Sequence, residues 1–256
     1  MKNLSLSIFS IIMTILFASK VPPGYCGTEE FISQPFWYRY CYFMFSMFIV
    51  RCKYYSGWQT SQAGITYSGL NYYSVQNKET NQVDHKFDKI LCCSVWDIEF
   101  NLSTKTRIQY WNRTVHLWLK YHVFLRLISG KKRVSTSIAS LITFMISAIW
   151  HGFYPVYYLF FLFYYLIEQV ATEVEQRGLV TYIEKAPFWQ RLLFRIFLSS
   201  FLQFFGQCFA ILRLSHNMNF FRAFYFIPNI LLVSLFVYFC IFKKNKLFFY
   251  FILYFT

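Results

Sequence analysis

Long apolar runs limit what this chain can become more than any single motif does. They cover Leu4 to Ser19, Phe36 to Val50, Val134 to Trp150, Phe153 to Ile167, Leu192 to Leu212 and Phe220 to Phe242, with a shorter stretch from Leu247 to Phe255. A helix needs about 20 largely apolar residues to cross a bilayer, with roughly 17 as the lower limit. Only a few runs reach that length outright; the rest are short, tilted, re-entrant or interrupted by Arg39, Arg195 or Arg222. Hydrocarbon offers no partner to a freed N–H or C=O, so a helix broken at membrane depth must be received by protein or by a wet cavity. The expected fold is therefore an all-α polytopic membrane protein, an irregular helical bundle with re-entrant or interfacial helices around a polar interior. Composition agrees, with 57% hydrophobic and only 14% charged residues.

A net charge of +14 suggests nucleic acid as a partner, but the position of the charges argues against it. Lys131-Lys132-Arg133 and Lys243-Lys244-Asn245-Lys246 stand at the ends of apolar runs, where cations orient helices and meet anionic headgroups. The bilayer is the expected partner, and the flanked ends face the cytosol if both clusters do. Seven cysteines without paired metal spacing read as free apolar residues, so no metal site is expected. Asn3, Asn101 and Asn112 each head an Asn-x-Ser/Thr triplet, a pattern too common to carry weight alone. Met1 to Ser19 resembles a secretory signal in outline, but a first membrane helix is preferred because more membrane protein follows it.

Between Lys53 and Lys105 the composition turns polar, a length of loop that is usually functional or built of short elements. Gly57 to Leu70 suits a re-entrant or cavity-lining helix, and Asn77 to Lys89 a turn-rich surface loop. A mixed helix opens at Trp111. Trp111, Thr114, Val115, Trp118 and Leu119 share one stripe of it, leaving Asn112, Arg113 and His116 to face a polar cavity. An interfacial amphipathic helix with a tryptophan belt fits the same spacing. Beyond it, His151 stands between two apolar stretches in Ser147-Ala148-Ile149-Trp150-His151-Gly152. A group that titrates near neutrality is costly in hydrocarbon, so it needs a partner, a wet cavity or a chemical task. On spacing alone a satisfied core histidine is the commoner outcome.

Four passages resemble the membrane-bound O-acyltransferase (MBOAT) family, in its lysophospholipid acyltransferase branch. Arg51-Cys52-Lys53-Tyr54-Tyr55-Ser56-Gly57-Trp58 looks like the family's Arg-x-Lys-Tyr-Tyr-x-x-Trp segment. Trp111-Asn112-Arg113-Thr114 with Trp118-Leu119 resembles the box around the family's asparagine. Ser147 to Tyr158 matches the box around its histidine, except that Val156 replaces a customary glycine. Leu192 to Lys244 follows the closing helices in apolar pattern. The likeness runs from about Leu16 to Lys246 and the boxes fall in order. Family members are substantially longer, with N-terminal helices that have no counterpart here, so the MBOAT-like bundle is expected to be incomplete.

The resemblance implies one MBOAT-like domain over residues 1–256, with a polar cavity or loop region at 53–105, catalytic helices at 106–170 and C-terminal transmembrane helices at 190–246. It implies an acyltransferase of the endoplasmic reticulum membrane that uses no bound cofactor. Acyl-CoA would be the co-substrate and a lysophospholipid the acceptor. His151 and Asn112 would be catalytic. Lys53, Tyr54, Trp111, Thr114, Trp150, Tyr157 and Tyr158 would contact substrate, although Lys53 and Tyr54 serve equally as interfacial anchors. Other expectations stay open: a gene fragment, an inactive shortened paralogue that binds lipid or a partner, or an enzyme acylating a peptide or a sterol.

Overall fold

The computed structural model describes residues 2–76, 82–130 and 133–242. Helix α1 (Lys2–Phe17) lies along α3 (Phe36–Tyr67), separated from it by a short turn at Pro23–Gly27 and by α2 (Glu29–Ser33). Ser7 on α1 is buried against α3, where its hydroxyl donates to the Ser56 carbonyl at 3.2 Å and hydrogen-bonds the Thr60 hydroxyl at 2.7 Å. The first apolar run is thus a packed helix.

Helix α3 runs unbroken for 32 residues, correcting the expectation of a break near Lys53 and a separate cavity helix after Gly57. No proline interrupts this stretch, so the polar shift marks a change of neighbour and not of backbone. Gln62, buried on α3, donates to the Ile90 carbonyl at 2.6 Å and accepts from the Cys92 N–H at 2.8 Å. Gln59 donates to the Cys93 sulfur at 3.2 Å. The polar side chains of this stretch therefore satisfy the chain running back alongside the helix. That returning chain includes an antiparallel hairpin of β1 (Tyr73–Gln76) and β2 (Val83–Lys86), pairing Tyr73 with Lys86. Residues 77–81 of the expected loop lie outside the described residues, as do Lys131, Lys132, the 243–246 cluster and the 247–255 stretch.

Short helices α4 (Val95–Phe100), α5 (Thr104–Tyr110) and α6 (Arg113–Leu119) follow, and one π-helical turn at Lys120–Phe124 leads to α7 (Leu125–Ser129). Helices α8 (Thr136–His151) and α9 (Pro155–Gln176) form a hairpin, and Pro155 suits the first turn of α9, where no N–H is needed. After α10 (Leu179–Lys185) comes α11 (Phe188–Ala210), the one single described helix long and apolar enough to cross a bilayer.

The apolar run from Phe220 to Phe242 is divided between two helices. Helices α12 (Leu214–Ala223) and α13 (Ile227–Ile241) meet at 89°, with Tyr225 and Phe226 in left-handed backbone between them. Pro228 explains the position: it cannot donate an N–H, and its ring would strike the carbonyl of Phe224 in a continuous helix. Arg39 receives the break. It is buried, its Nη1 donates to the Ala223 carbonyl left free at the end of α12, and its guanidinium lies over the Tyr225 ring at 5.6 Å. An arginine that reads as an interruption of the apolar run is thus the cap of a neighbouring helix. The core gathers around this joint, with Phe43 and Met47 of α3, Phe204 and Phe205 of α11, and Phe220 and Phe221 of α12 in mutual contact.

Candidate active site

A cavity of about 420 Å³ lies between α3, the short helices α4 to α6, and α8, α9 and α11. His151 and Asn112 both line it. His151 is the last residue of α8, and Gly152 ends that helix at φ 128°, a conformation that a side chain would strain. Its N–H closes on the Ala148 and Ile149 carbonyls at 3.2 and 3.1 Å, which turns the chain away and leaves the imidazole at the wall. Val156 lies fully buried in the first turn of α9, past the break.

Aromatic rings hold the imidazole on several sides. It stacks on Phe161 at 5.3 Å, meets Phe209 edge-on at 4.9 Å, and touches Trp150 and Tyr157. Among the described residues no hydrogen-bond partner engages its ring nitrogens, so a proton acceptor remains available in the cavity. The ring position is therefore set by packing and not by a carboxylate.

Asn112 arrives differently. Helix α5 ends at Tyr110 and α6 begins at Arg113, so the box expected to open one helix at Trp111 instead spans a joint between two. Asn112 stands at that joint with φ 46° and ψ 56°, the left-handed region that asparagine tolerates better than most residues. Its carbonyl accepts from the His116 N–H at 3.0 Å, and the Arg113 N–H donates to the Cys92 carbonyl at 2.8 Å. The joint also rotates α6. The residues facing the cavity are Asn112, Val115, His116 and Leu119, whereas Thr114 and Trp118 of the expected packing stripe are exposed. Burial, then Lys120 and Arg113, hold the His116 imidazole below its ordinary value.

The other expected contact residues divide. Tyr54 and Trp111 line the cavity and meet edge-on at 5.5 Å; Tyr54 also reaches Phe209 at 6.5 Å, and Phe209 touches His151. One chain of rings thus connects the neighbour of Asn112 to His151. Tyr157 supports His151 from outside the lining. Lys53, Thr114, Trp150 and Tyr158 do not line the cavity: the first three are exposed, Trp150 at 64%, and Tyr158 is half-buried. Lys53 points away because Arg51, Tyr54 and Trp58 occupy the cavity face of α3.

Sequence reasoning about the site passed over the charged wall formed by Arg51, Glu99 and Arg107. Arg51 forms a two-pronged pair with Glu99 at 2.7 and 3.2 Å, and the Tyr55 hydroxyl donates to the same carboxylate at 2.8 Å. Scarce charges in so apolar a chain were the available signal, and Arg51 opens one of the recognised segments. Burial would raise the Glu99 carboxyl, but Arg51 and Tyr55 hold it below its ordinary value. Such a group stabilises the fold above its unfolded pKa, about 4.3, and the contribution disappears as pH falls through the folded value. Glu99→Gln is expected to cost about 3 kcal/mol or more at neutral pH, since it leaves a buried guanidinium unpaired. It should also flatten the acid limb of stability, as read by melting in detergent from neutral to acid pH.

The described helices and this histidine-bearing cavity define a predominantly helical membrane protein with a polar-walled cavity between its helices. Residues 2–216 match the model of the MBOAT, membrane-bound O-acyltransferase family, and the chain belongs to that family. A lysophospholipid acyltransferase of Saccharomyces cerevisiae is 33% identical over 153 residues, covering 59% of this chain and 24% of the yeast protein. One of Schizosaccharomyces pombe is 30% identical over 161 residues, 63% of this chain and 31% of that protein. Lysophospholipid acyltransferase 5 of Homo sapiens is 25% identical over 248 residues, 92% of this chain and 48% of the human protein. The chain therefore spans at most about half the length of these relatives.

Proposed function

We propose that the chain carries the reaction chamber of a lysophospholipid acyltransferase, moving an acyl group from acyl-CoA to the free hydroxyl of a lysophospholipid in the endoplasmic reticulum membrane. The observation that carries this reading is that His151 and Asn112, far apart in sequence, line one cavity and are joined by the rings of Trp111, Tyr54 and Phe209. A hydroxyl becomes a competent nucleophile when a positioned base takes its proton in the transition state, and an unpartnered imidazole suits that task. The hydroxyl oxygen then bonds to the thioester carbonyl carbon, and the carbonyl oxygen gains negative charge. The Asn112 amide N–H donates to that oxygen. Collapse breaks the carbon–sulfur bond, and the proton held by His151 passes to the departing CoA thiolate.

The relatives, lysophospholipid acyltransferases by name, support the acceptor class, and the family supports the reaction type. The test is transfer of labelled acyl-CoA by membranes that express the protein, with lysophospholipids, a sterol and a peptide offered side by side. A labelled diacyl phospholipid is the expected product. Labelling of only the sterol or the peptide overturns the acceptor assignment.

A further inference from the structure

Arg107 is 3% exposed and lines the cavity, yet no carboxylate among the described residues hydrogen-bonds it. Its Nε donates to the Asn101 carbonyl at 2.6 Å and its Nη1 to the Ser199 hydroxyl at 2.7 Å, both neutral acceptors. Its Nη2 is buried without an acceptor among the described residues, and so is Nη1 of Arg51. Glu99 is already committed, with one oxygen taking Arg51 Nε and the Tyr55 hydroxyl and the other taking Arg51 Nη2. Lys105, also on the wall, has its own partner in Glu175 at 3.9 Å. Glu99 thus serves Arg51 while Arg107 keeps neutral partners, and a buried cation with a free N–H is costly until an anion meets it.

We propose that Arg107 and Arg51 form a phosphate seat in the wall of the cavity, taking the phosphate of one of the two substrates. Ser199 extends the seat: its oxygen accepts from Arg107, which leaves its own proton to donate. Guanidinium geometry matches phosphate oxygens, and a seat already held by Asn101, Ser199 and Glu99 loses little freedom on binding. Burial pulls the Arg107 guanidinium down to about 10, with Glu99 opposing, and even there the group is charged at neutral pH. The seat separates anchoring from chemistry, since it is built on α3, α5 and α11 while His151 comes from α8.

The choice of ligands rests on the acyl-transfer reading, so the test measures binding of one substrate at a time, where no transfer occurs. Purified protein is titrated with a lysophospholipid and with the matched monoacylglycerol, which lacks the phosphate. It is titrated separately with acyl-CoA and with the S-acyl pantetheine that lacks CoA's phosphates. In wild type one phosphate-bearing ligand should raise the melting temperature more than its phosphate-free match, and the pair that differs identifies the source. Arg107→Gln should weaken that ligand roughly tenfold to a hundredfold and spare the match. Arg107→Lys, which keeps the cation but loses the fork, should fall between. Equal stabilisation by both members of both pairs in wild type overturns the proposal even if neither variant folds. So does equal weakening of ligand and match in Arg107→Gln. Selective binding without any acyl transfer would instead leave the seat standing and remove the proposed reaction.

Discussion

Replacing His151 by alanine should lower acyl transfer by about 10²- to 10⁴-fold, the range in which a positioned general base contributes. The loss should fall on kcat more than on KM, because the base acts on a proton that is transferred only in the transition state. Two features make the effect readable. The imidazole has no hydrogen-bond partner among the described residues, so its removal strands no buried polar group. Its contacts with Phe161, Phe209, Trp150 and Tyr157 are ring contacts on a half-buried side chain, and the protein should still fold. A merely structural histidine would fail differently: the variant would elute as aggregate, or would melt earlier while keeping its turnover. Imidazole added to the folded alanine variant separates the cases further, since it can re-enter the vacated volume and restore part of the rate. Full activity in His151→Ala would remove the base from the mechanism.

The second large effect is expected at Asn112, where two roles occupy one residue. The side chain is the proposed oxyanion donor, and the backbone holds the left-handed joint between α5 and α6. Asn112→Gly keeps the joint and removes the amide. It should melt close to wild type and lose about 10²- to 10³-fold in kcat, by analogy with the removal of one oxyanion donor. Asn112→Ala should show the same kinetic loss and also a stability cost of about 1–2 kcal/mol, since a Cβ without a local hydrogen-bonding group is strained at positive φ. Melting in detergent beside single-turnover kinetics reads both quantities. If Asn112→Gly turns over like wild type, the residue serves the backbone alone.

Arg39 and Arg107 show why only part of this was readable beforehand. Both are cations in a chain poor in charge, and each has a definite place. One caps α12 across the bend, and the other stands in the cavity wall. Neither task leaves a periodic mark, because the partners are distant backbone or hydroxyl groups such as Ala223 and Ser199. Gln59 and Gln62 misled in the opposite direction. They suggest a separate cavity-lining helix after Gly57 and are the buried polar face of one continuous helix.

By itself the sequence determined the helical class, the break at Gly152, and the pair His151 and Asn112 as the residues to watch; the bend before Pro228 came from the structure. The first three follow from local chemistry: apolar length, a glycine and recognisable boxes. Only the tertiary structure decided that Asn112 sits at a joint and not within a helix, and that Lys53, Thr114, Trp150 and Tyr158 stand away from the cavity wall. It also decided that Arg51, Glu99 and Arg107 stand on that wall. The reason is rotational. Which face of a helix meets a cavity depends on how its ends are joined and which neighbours it packs against, and a side-chain pattern is satisfied equally by lipid or by protein.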